Sequence, residues 1–221
     1  MKIATVSHSQ RQIILGTILG DGHLLIPKRR PSRGLPKVDL PRNARFTTSS
    51  CEKDKDYVLW KYHELESTGL FRPPKPKRRN TGRIQWILES RRSPLFTGLH
   101  KLFYPEGKKR LPIEVLNELD DLGLAVWYMD DGNLSNRTHH CLSYGRDLQH
   151  HSVTVRLSTQ CFSTEGSQLI RDWLRDRFGI KARGTDLITI SRREEVNKFL
   201  SIVSPHVIAC MSRKKEVIQL R

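Results

Sequence analysis

The sequence predicts an α+β fold of two pseudo-symmetric units, each running α-β-β-α-β-β-α and each carrying a four-stranded antiparallel sheet. Three observations lead there. The runs Ile14-Leu15-Gly16-Thr17-Ile18-Leu19-Gly20-Asp21-Gly22 and Leu124-Ala125-Val126-Trp127-Tyr128-Met129-Asp130-Asp131-Gly132 are both apolar helical stretches ending in Asp-Gly, and they stand about half of the 221-residue chain apart. Their flanks repeat as well: Arg45-Phe46-Thr47-Thr48-Ser49 is echoed by Arg156-Leu157-Ser158-Thr159-Gln160, Ser93 opens a helical pattern as Ser191 does, and Pro105 matches Pro205. Between these landmarks the apolar period switches between helix-like and strand-like spacing in the same order twice. The units divide into residues 1–110 and 111–221, packed through the two motif helices.

The first unit opens with a helix over about residues 10–20, where Ile14, Thr17, Ile18 and Asp21 share a side. A short strand at 23–26 leads into a loop punctuated by Pro27, Pro31, Gly34, Pro36 and Pro41. Over residues 43–49, Ala44, Phe46 and Thr48 alternate with Arg45, Thr47 and Ser49, the period of a half-buried strand with a polar outer face. A helix over about 54–67 precedes a hairpin whose tip, Lys77-Arg78-Arg79-Asn80-Thr81-Gly82, is cationic. The return strand sets Ile84, Trp86 and Leu88 against Arg83, Gln85 and Ile87. Ser93-Pro94 is an N-cap and first-turn pair for a helix reaching about residue 103.

In the second unit the helix ending at Asp131 precedes a strand near Asn133, a long loop, and a strand over 153–160 in which Val153, Val155 and Leu157 alternate with Thr154, Arg156 and Ser158. A helix over about 164–178 packs through Leu169, Trp173 and Leu174. Residues 181–183 and 187–190 form a hairpin around Gly184, and Ser191-x-x-Glu194 matches a capping box for the last helix.

Composition narrows the partners. The chain carries 39 Lys+Arg against 23 Asp+Glu, a net charge of +16 and a pI near 10.1, which argues for a polyanion such as nucleic acid. The basic residues are not gathered on one amphipathic helix face, so a membrane surface fits poorly. No apolar run approaches the ~18 residues of a membrane-spanning helix, and no secretory signal is visible, so an intracellular protein is expected. Cys51, Cys141, Cys161 and Cys210 form no CxxC pair and read as free thiols of a reducing compartment.

A carboxylate at the end of an apolar helix is expensive to desolvate and needs water, a hydrogen bond or a cation. One Asp-Gly after a helix is an ordinary stop. Two equivalent ones, Asp21 and Asp131, in a strongly basic chain suggest a metal site built where two helices meet, facing nucleic acid.

With this pattern assembled, the chain resembles the LAGLIDADG homing endonucleases in their single-chain, two-motif form. Ile-Leu-Gly-Asp-Gly and Trp-Tyr-Met-Asp-Asp-Gly are similar to the intron-encoded branch that includes the yeast mitochondrial omega enzyme. Further likeness lies in Lys108-Lys109-Arg110-Leu111-Pro112, Leu157-Ser158-Thr159-Gln160-Cys161-Phe162 and Cys210-Met211-Ser212-Arg213-Lys214. It spans nearly the whole chain except the loops at 27–42 and 136–151. The second motif departs from the signature by placing Val126, Trp127 and Tyr128 where smaller or aliphatic residues often stand.

The resemblance implies a site-specific double-strand DNA endonuclease that hydrolyses one phosphodiester per strand across the minor groove of a long asymmetric target, leaving short 3′ overhangs. It places Asp21 and Asp131 at the metal, with the carbonyls of Gly20 and Asp130 completing the shell. Mg²⁺ is the expected ion, Mn²⁺ a substitute, and Ca²⁺ an ion that binds without cleavage; divalent ions near paired carboxylates suit phosphodiester hydrolysis. Lys109 and Arg213 align with basic residues near the metal-bound waters, where they either stabilise transition-state charge or contact phosphate. Gln160 and its counterpart Ser49 either order those waters or read bases. Gly16 and Ala125 are the small residues expected to let the motif helices approach.

The polar sheet faces suit a major groove. Arg29, Arg30, Arg33, Arg45, Thr47, Ser49, Lys75, Arg78, Arg79, Arg83 and Gln85 are the DNA-contacting candidates of the first half. Arg137, Arg146, Thr154, Arg156, Ser158, Lys181 and Arg183 are those of the second, each able to meet a base or a phosphate. His139-His140-Cys141 with His150-His151 lacks the ligand spacing of a zinc site and reads as a DNA-contacting or mobile loop. The alternative reading is a non-cleaving intron RNA maturase or a DNA-binding regulator on the same scaffold, with the chain's own intron RNA as a further partner. A ribosomal or structural RNA-binding protein explains the charge but not the two aspartates. No self-splicing domain is recognised around the unit, so a free-standing or intron-encoded enzyme is expected, a monomer in a bacterial cytoplasm or an organelle.

Overall fold

A computed structural model of the chain describes residues 6–27, 42–143 and 146–216, and of residues 138–151 it describes the backbone only. The chain divides into two compact units, Met1–Arg11 with Asp21–Lys108 and Gln12–Gly20 with Lys109–Arg221. Most of the first motif helix, α1 (His8–Leu19), therefore belongs with the second unit.

The first unit is built on an antiparallel sheet of β1 (His23–Leu25), β2 (Arg45–Cys51), β3 (Lys75–Arg78) and β4 (Ile84–Glu89), in the order β1-β2-β4-β3. This is the expected four-stranded sheet. Helices α2 (Lys55–Leu65) and α3 (Pro94–Phe103) pack on it. The register pairs Leu24 with Phe46 and Thr48 with Leu88, and Phe46 and Leu88 are wholly buried. Phe46, Phe71 and Phe96 form an aromatic cluster with ring centroids 5.6–5.9 Å apart. Ser93 caps α3 as expected, accepting the Leu95 N–H at 3.3 Å ahead of Pro94.

The second unit contains α4 (Ile113–Glu118), α5 (Asp121–Asp131), β5 (Gly132–Ser143), β6 (Arg146–Ser158), α6 (Thr164–Phe178), β7 (Leu187–Ile190) and α7 (Arg193–Val203). It ends in the 3-10 turns Ser204–His206 and Ala209–Lys214. Asp120 caps α5 by accepting the Gly123 N–H, and Ser163 caps α6 by accepting that of Gly166. The sheet runs β5-β6-β7, all antiparallel.

Several expectations change here. The second sheet has three strands among the described residues; the expected fourth is a single bridge between Arg183 and Thr189. The preceding backbone is claimed elsewhere: the Ile180 N–H closes the end of α6 on the Leu174 carbonyl, and the Lys181 N–H donates to Glu195. The loop expected at 136–151 is largely ladder, since β5 and β6 pair continuously from Gly132↔Leu157 to Ser143↔Arg146. No proline interrupts 132–158, so each backbone N–H can join the ladder. The capping box at Ser191 does not form, because α7 starts one residue later than such a cap requires, with Arg192 at the cap position and no side-chain cap bond among the described residues. In α6, Ile170, Trp173 and Leu174 are buried while Leu169 is exposed. Helix α4, too short for a periodic signal, is absent from the sequence-based prediction.

Within the second unit α1 and α5 approach each other closely. Gln12, Gly16 and Gly20 recur every fourth residue and so share one face of the first helix. Gln12 is fully buried and satisfied at both ends, donating to the Glu118 carbonyl at 2.9 Å and accepting the Asp120 N–H at 3.0 Å. At Gly16 a Cβ would lie 2.3 Å from the Gly123 carbonyl oxygen and 2.9 Å from the Val126 Cβ. The close partner of Gly16 is thus Gly123, beside the expected Ala125.

Because the atom facing Gly16 is backbone, no rotamer change relieves a side chain there. Gly16→Val should destabilise the fold by about 2–4 kcal/mol or prevent folding. Gly98→Ala in α3, where a Cβ meets nothing within 4 Å among the described residues, should be neutral or stabilising by up to ~1 kcal/mol. Denaturant unfolding of both variants checks the pair, and an unchanged midpoint for Gly16→Val refutes the close approach.

Candidate functional site

Both motif helices end at a carboxylate because the apolar stripe ends there and the chain turns into a strand. Helix α5 finishes with Asp130 and Asp131, both half-buried, and the Gly132 N–H closes its last turn on the Tyr128 carbonyl. Gly20 continues α1 with its N–H on the Gly16 carbonyl at 3.1 Å. It is buried, and a Cβ on it would lie 2.5 Å from the Asp130 Cβ and 3.0 Å from Asp130 Oδ2. The missing side chain is the space into which the Asp130 carboxylate fits. Asp21, the next residue, is exposed and belongs to the first compact unit.

Two lysines approach the backbone at these helix ends. Lys109 Nζ lies 3.4 Å from the Gly20 carbonyl oxygen and 5.6 Å over the Phe162 ring. The Lys214 ammonium donates to the Gly132 carbonyl and sits 5.9 Å over the Tyr128 ring. Tyr128 in turn donates its hydroxyl to the Lys214 carbonyl at 2.8 Å, and burial holds its phenol well above the ordinary tyrosine range. Arg213 is exposed and donates to the Cys210 carbonyl at 3.3 Å. Gln160 is exposed. Beside it, partial desolvation raises the Cys161 thiol, Lys109 pulls it down and Asp131 pushes it up. Lys109, Asp131 and Cys161 thus share one electrostatic neighbourhood.

The donors at these helix ends are hard oxygens: the Asp130 and Asp131 carboxylates at the end of α5 and the Gly20 carbonyl just after α1. Such a set fits Mg²⁺ or Ca²⁺ better than a soft metal. Among the described residues, no group of three or more His, Cys, Asp and Glu gathers. An ion that keeps several waters needs only one or two carboxylates.

Register sorts the candidate nucleic-acid contacts. In the first sheet, Thr47↔Glu89, Ser49↔Ile87, Lys75↔Ile87 and Lys77↔Gln85 set Arg45, Thr47, Ser49, Lys75 and Gln85 on one face. Arg78 pairs with Ile84 and takes the opposite parity. Lys77, absent from the sequence candidates, joins the polar face; the same alternation that selected Lys75 selects it. Arg79 and Arg83 lie exposed at the hairpin tip, with Arg79 Nε donating to Gln85 at 2.5 Å. Thr47 is buried, and Arg45 is half-exposed and paired with Glu89 at 3.4 Å. In the second sheet, Asn133↔Arg156, Ser135↔Thr154, Arg137↔Ser152 and Ser158↔Leu187 put Arg137, Thr154, Arg156 and Ser158 on one face. The bridge to Thr189 adds Arg183, while exposed Lys181 lies outside the ladder. Arg29, Arg30 and Arg33 lie outside the described residues, as do the side chains of Arg146, His139, His140, Cys141, His150 and His151.

Sequence reasoning missed Lys214, Cys161 and Phe162. Lys214 is next to the basic residue it selected, and the other two directly follow Gln160. No described helix is long and apolar enough to cross a membrane.

Comparison with known proteins agrees with the geometry. The model of the LAGLIDADG DNA endonuclease family matches residues 11–202. A protein of Mycolicibacterium fallax named RecA is 27% identical over 215 residues, 95% of this chain and 46% of that protein. The chain spans less than half the length of this relative and of the similar one from Mycobacterium gastri. The probable intron-encoded endonuclease 1 of Wickerhamomyces canadensis is 25% identical over 218 residues, 95% of this chain and 85% of its own. Among solved structures, the homing endonuclease I-WcaI bound to its DNA recognition sequence superposes with a TM-score of 0.73 at 21% identity, covering 96% of this chain and 88% of that one. I-SmaMI bound to uncleaved DNA in the presence of calcium ions gives a TM-score of 0.62 at 12% identity, covering 92% and 86%. At these identities the likeness is one of fold.

The Cys161 thiol reports on the site directly. Asp131→Asn removes one cause of its raised pKa, so alkylation by iodoacetamide at pH 8 should accelerate, because only the thiolate reacts. Lys109→Met should slow it. Mass-spectrometric rates at Cys161 in metal-free protein check both directions, and insensitivity to Asp131→Asn would mean that the two side chains are not neighbours.

Proposed function

The chain belongs to the LAGLIDADG DNA endonuclease family, and we propose that it is a site-specific homing endonuclease that cuts both strands of a long, asymmetric DNA target. The reading rests above all on Gly20, whose missing side chain makes room for the Asp130 carboxylate one residue before Asp21. A helix stop alone requires no such fit between two motifs.

In this proposal Asp21 and Asp131 hold divalent ions, with the carbonyls of Gly20 and Asp130 as further donors. Mg²⁺ is the working ion, Mn²⁺ substitutes for it, and Ca²⁺ supports binding without cleavage. When bound, such ions lower the pKa of a coordinated water and neutralise phosphate charge. The chain's own groups do the rest. Lys109 and Lys214, with Arg213 beside them, supply positive charge for the extra negative charge of the transition state. Gln160 and Ser49 offer hydrogen bonds that orient the attacking waters. The polar sheet faces carry Arg45, Lys75, Lys77, Gln85, Arg137, Arg156 and Arg183 to the DNA, where phosphate contacts set affinity and a subset reads bases. One phosphodiester per strand is cut across the minor groove, leaving short 3′ overhangs, and one chain suffices. The two half-sites follow the sequence halves, residues 1–110 and 111–221, in an enzyme acting inside a bacterial cell or an organelle.

A cleavage selection on long randomised duplexes, run with Mg²⁺ and with Ca²⁺, tests the proposal. Recovered ends sharing one extended site, with 3′ overhangs only in Mg²⁺, are the expected result. On the recovered duplex, Asp21→Asn and Asp131→Asn should each reduce double-strand cleavage by about 10³-fold or more, equivalent to about 4 kcal/mol of transition-state stabilisation. Binding should change by only a few-fold and weaken steeply with salt. Wild-type cleavage by either variant refutes the metal assignment, and tight binding without cuts in either ion points to a maturase or regulator.

A further inference from the structure

Resting on that reading of the site, we infer that Phe162, backed by Trp127, and Tyr128 are positioning residues, which hold the ammonium groups of Lys109 and Lys214 at the carbonyls beside the two motif aspartates. Trp127 and Tyr128 are the bulky positions at which the second motif departs from the family signature. Both are wholly buried. Consecutive helical residues point about 100° apart, so the two rings serve different sides of α5.

On one side Trp127 meets the Phe162 ring edge-to-face, with centroids 6.4 Å apart at 86°. Phe162, buried itself, presents its face to Lys109 Nζ at 5.6 Å, and that amine lies 3.4 Å from the carbonyl preceding Asp21. On the other side Tyr128 meets Phe199 edge-to-face at 5.1 Å and 79°. Its own ring lies 5.9 Å below Lys214 Nζ, and that amine reaches the carbonyl following Asp131. The Tyr128 hydroxyl also fixes the Lys214 backbone. Each lysine is thus held between a ring face and a carbonyl, a cation–π arrangement within the ~6 Å range where the ring quadrupole attracts an ammonium.

An independent observation bears on Trp127. Its indole Nε1 is buried without a hydrogen-bond partner among the described residues, a cost that an aliphatic side chain avoids. Hydrogen bonding therefore does not account for tryptophan here. The broad ring that backs Phe162 does.

The test begins with metal-free protein whose lysines are reductively methylated with ¹³C-formaldehyde, which keeps their charge. Lys109→Arg and Lys214→Arg assign the two signals. Ring currents should displace both from the bulk lysine resonance. Phe162→Leu should return the Lys109 signal alone to bulk and Tyr128→Leu the Lys214 signal alone, with Phe162→Met replacing the leucine variant if that fails to fold. A Lys109 signal that Phe162→Leu does not move overturns the inference.

On a duplex recovered from the cleavage selection, Phe162→Leu should slow single-turnover cleavage about tenfold, with binding within twofold, while Phe162→Tyr restores the rate to within about threefold. In a Lys109→Ala background Phe162→Leu should cost nothing further, since residues acting through one another are not additive. An equal loss in both backgrounds, or wild-type cleavage by Phe162→Leu, overturns the positioning role alone. A wild-type chain that cuts no duplex overturns the endonuclease reading and this inference with it.

Discussion

The structure of the second unit depends on the absence of side chains at Gly16 and Gly20. At both positions the nearest atoms across the interface belong to α5: a backbone carbonyl at Gly123 and the side chain of Asp130. A methyl group at Gly16 would push the helices apart, because a peptide carbonyl cannot rotate away. Gln12 completes the face by bonding both Glu118 and Asp120. The seam therefore combines close packing with a satisfied buried amide, and an unmade bond at either end of Gln12 would carry the desolvation penalty of a buried polar group. This contact determines where the α1 terminus stands relative to Asp130, and with it where the oxygen donors can gather.

Within each unit, charge is distributed by a simple rule. Each sheet turns an apolar face to helices of its own unit and a polar face outward: α2 and α3 cover the first sheet, α5 and α7 the second. Strands with period two make this separation automatic, so arginines and lysines that would be costly in a core collect on the outer face. The few cations that do enter protected positions are accommodated by rings or carbonyls. Lys61 is wholly buried on α2 with its amine 4.3 Å over Tyr57, and Lys109 and Lys214 use both kinds of support. The same strategy serves packing in the first case and the chemistry proposed for the site in the other two.

Some of what the structure brings together was legible in the sequence. The repeated motifs point to Asp21 and Asp131, the family resemblance adds Lys109 and Gln160, and Lys109 and Asp131 do fall in one electrostatic neighbourhood around Cys161. The face assignments were legible too, because alternation leaves little freedom once a strand has one buried side. Arg78 shows the limit: near a hairpin tip the register decides parity, and composition alone does not reveal the register. Lys214 was obscured by Arg213, since adjacent basic residues look alike until the terminal 3-10 turn orients them.

By itself the sequence determined the α+β class, the element order of the first unit, the strongly basic polar faces and the carboxylates ending two apolar helices. These follow from periodicity and charge, which act locally and leave a signature in residue order. Only the tertiary structure decided that Gly123 is the partner of Gly16, that the second sheet has three strands and a bridge among the described residues, and that Phe162, backed by Trp127, stands beneath Lys109. Such outcomes depend on which of several competing partners a backbone group or a ring finds in space. Lys181 illustrates the competition: its N–H could have extended a strand, but Glu195 on α7, fourteen residues further along the chain, accepts it first.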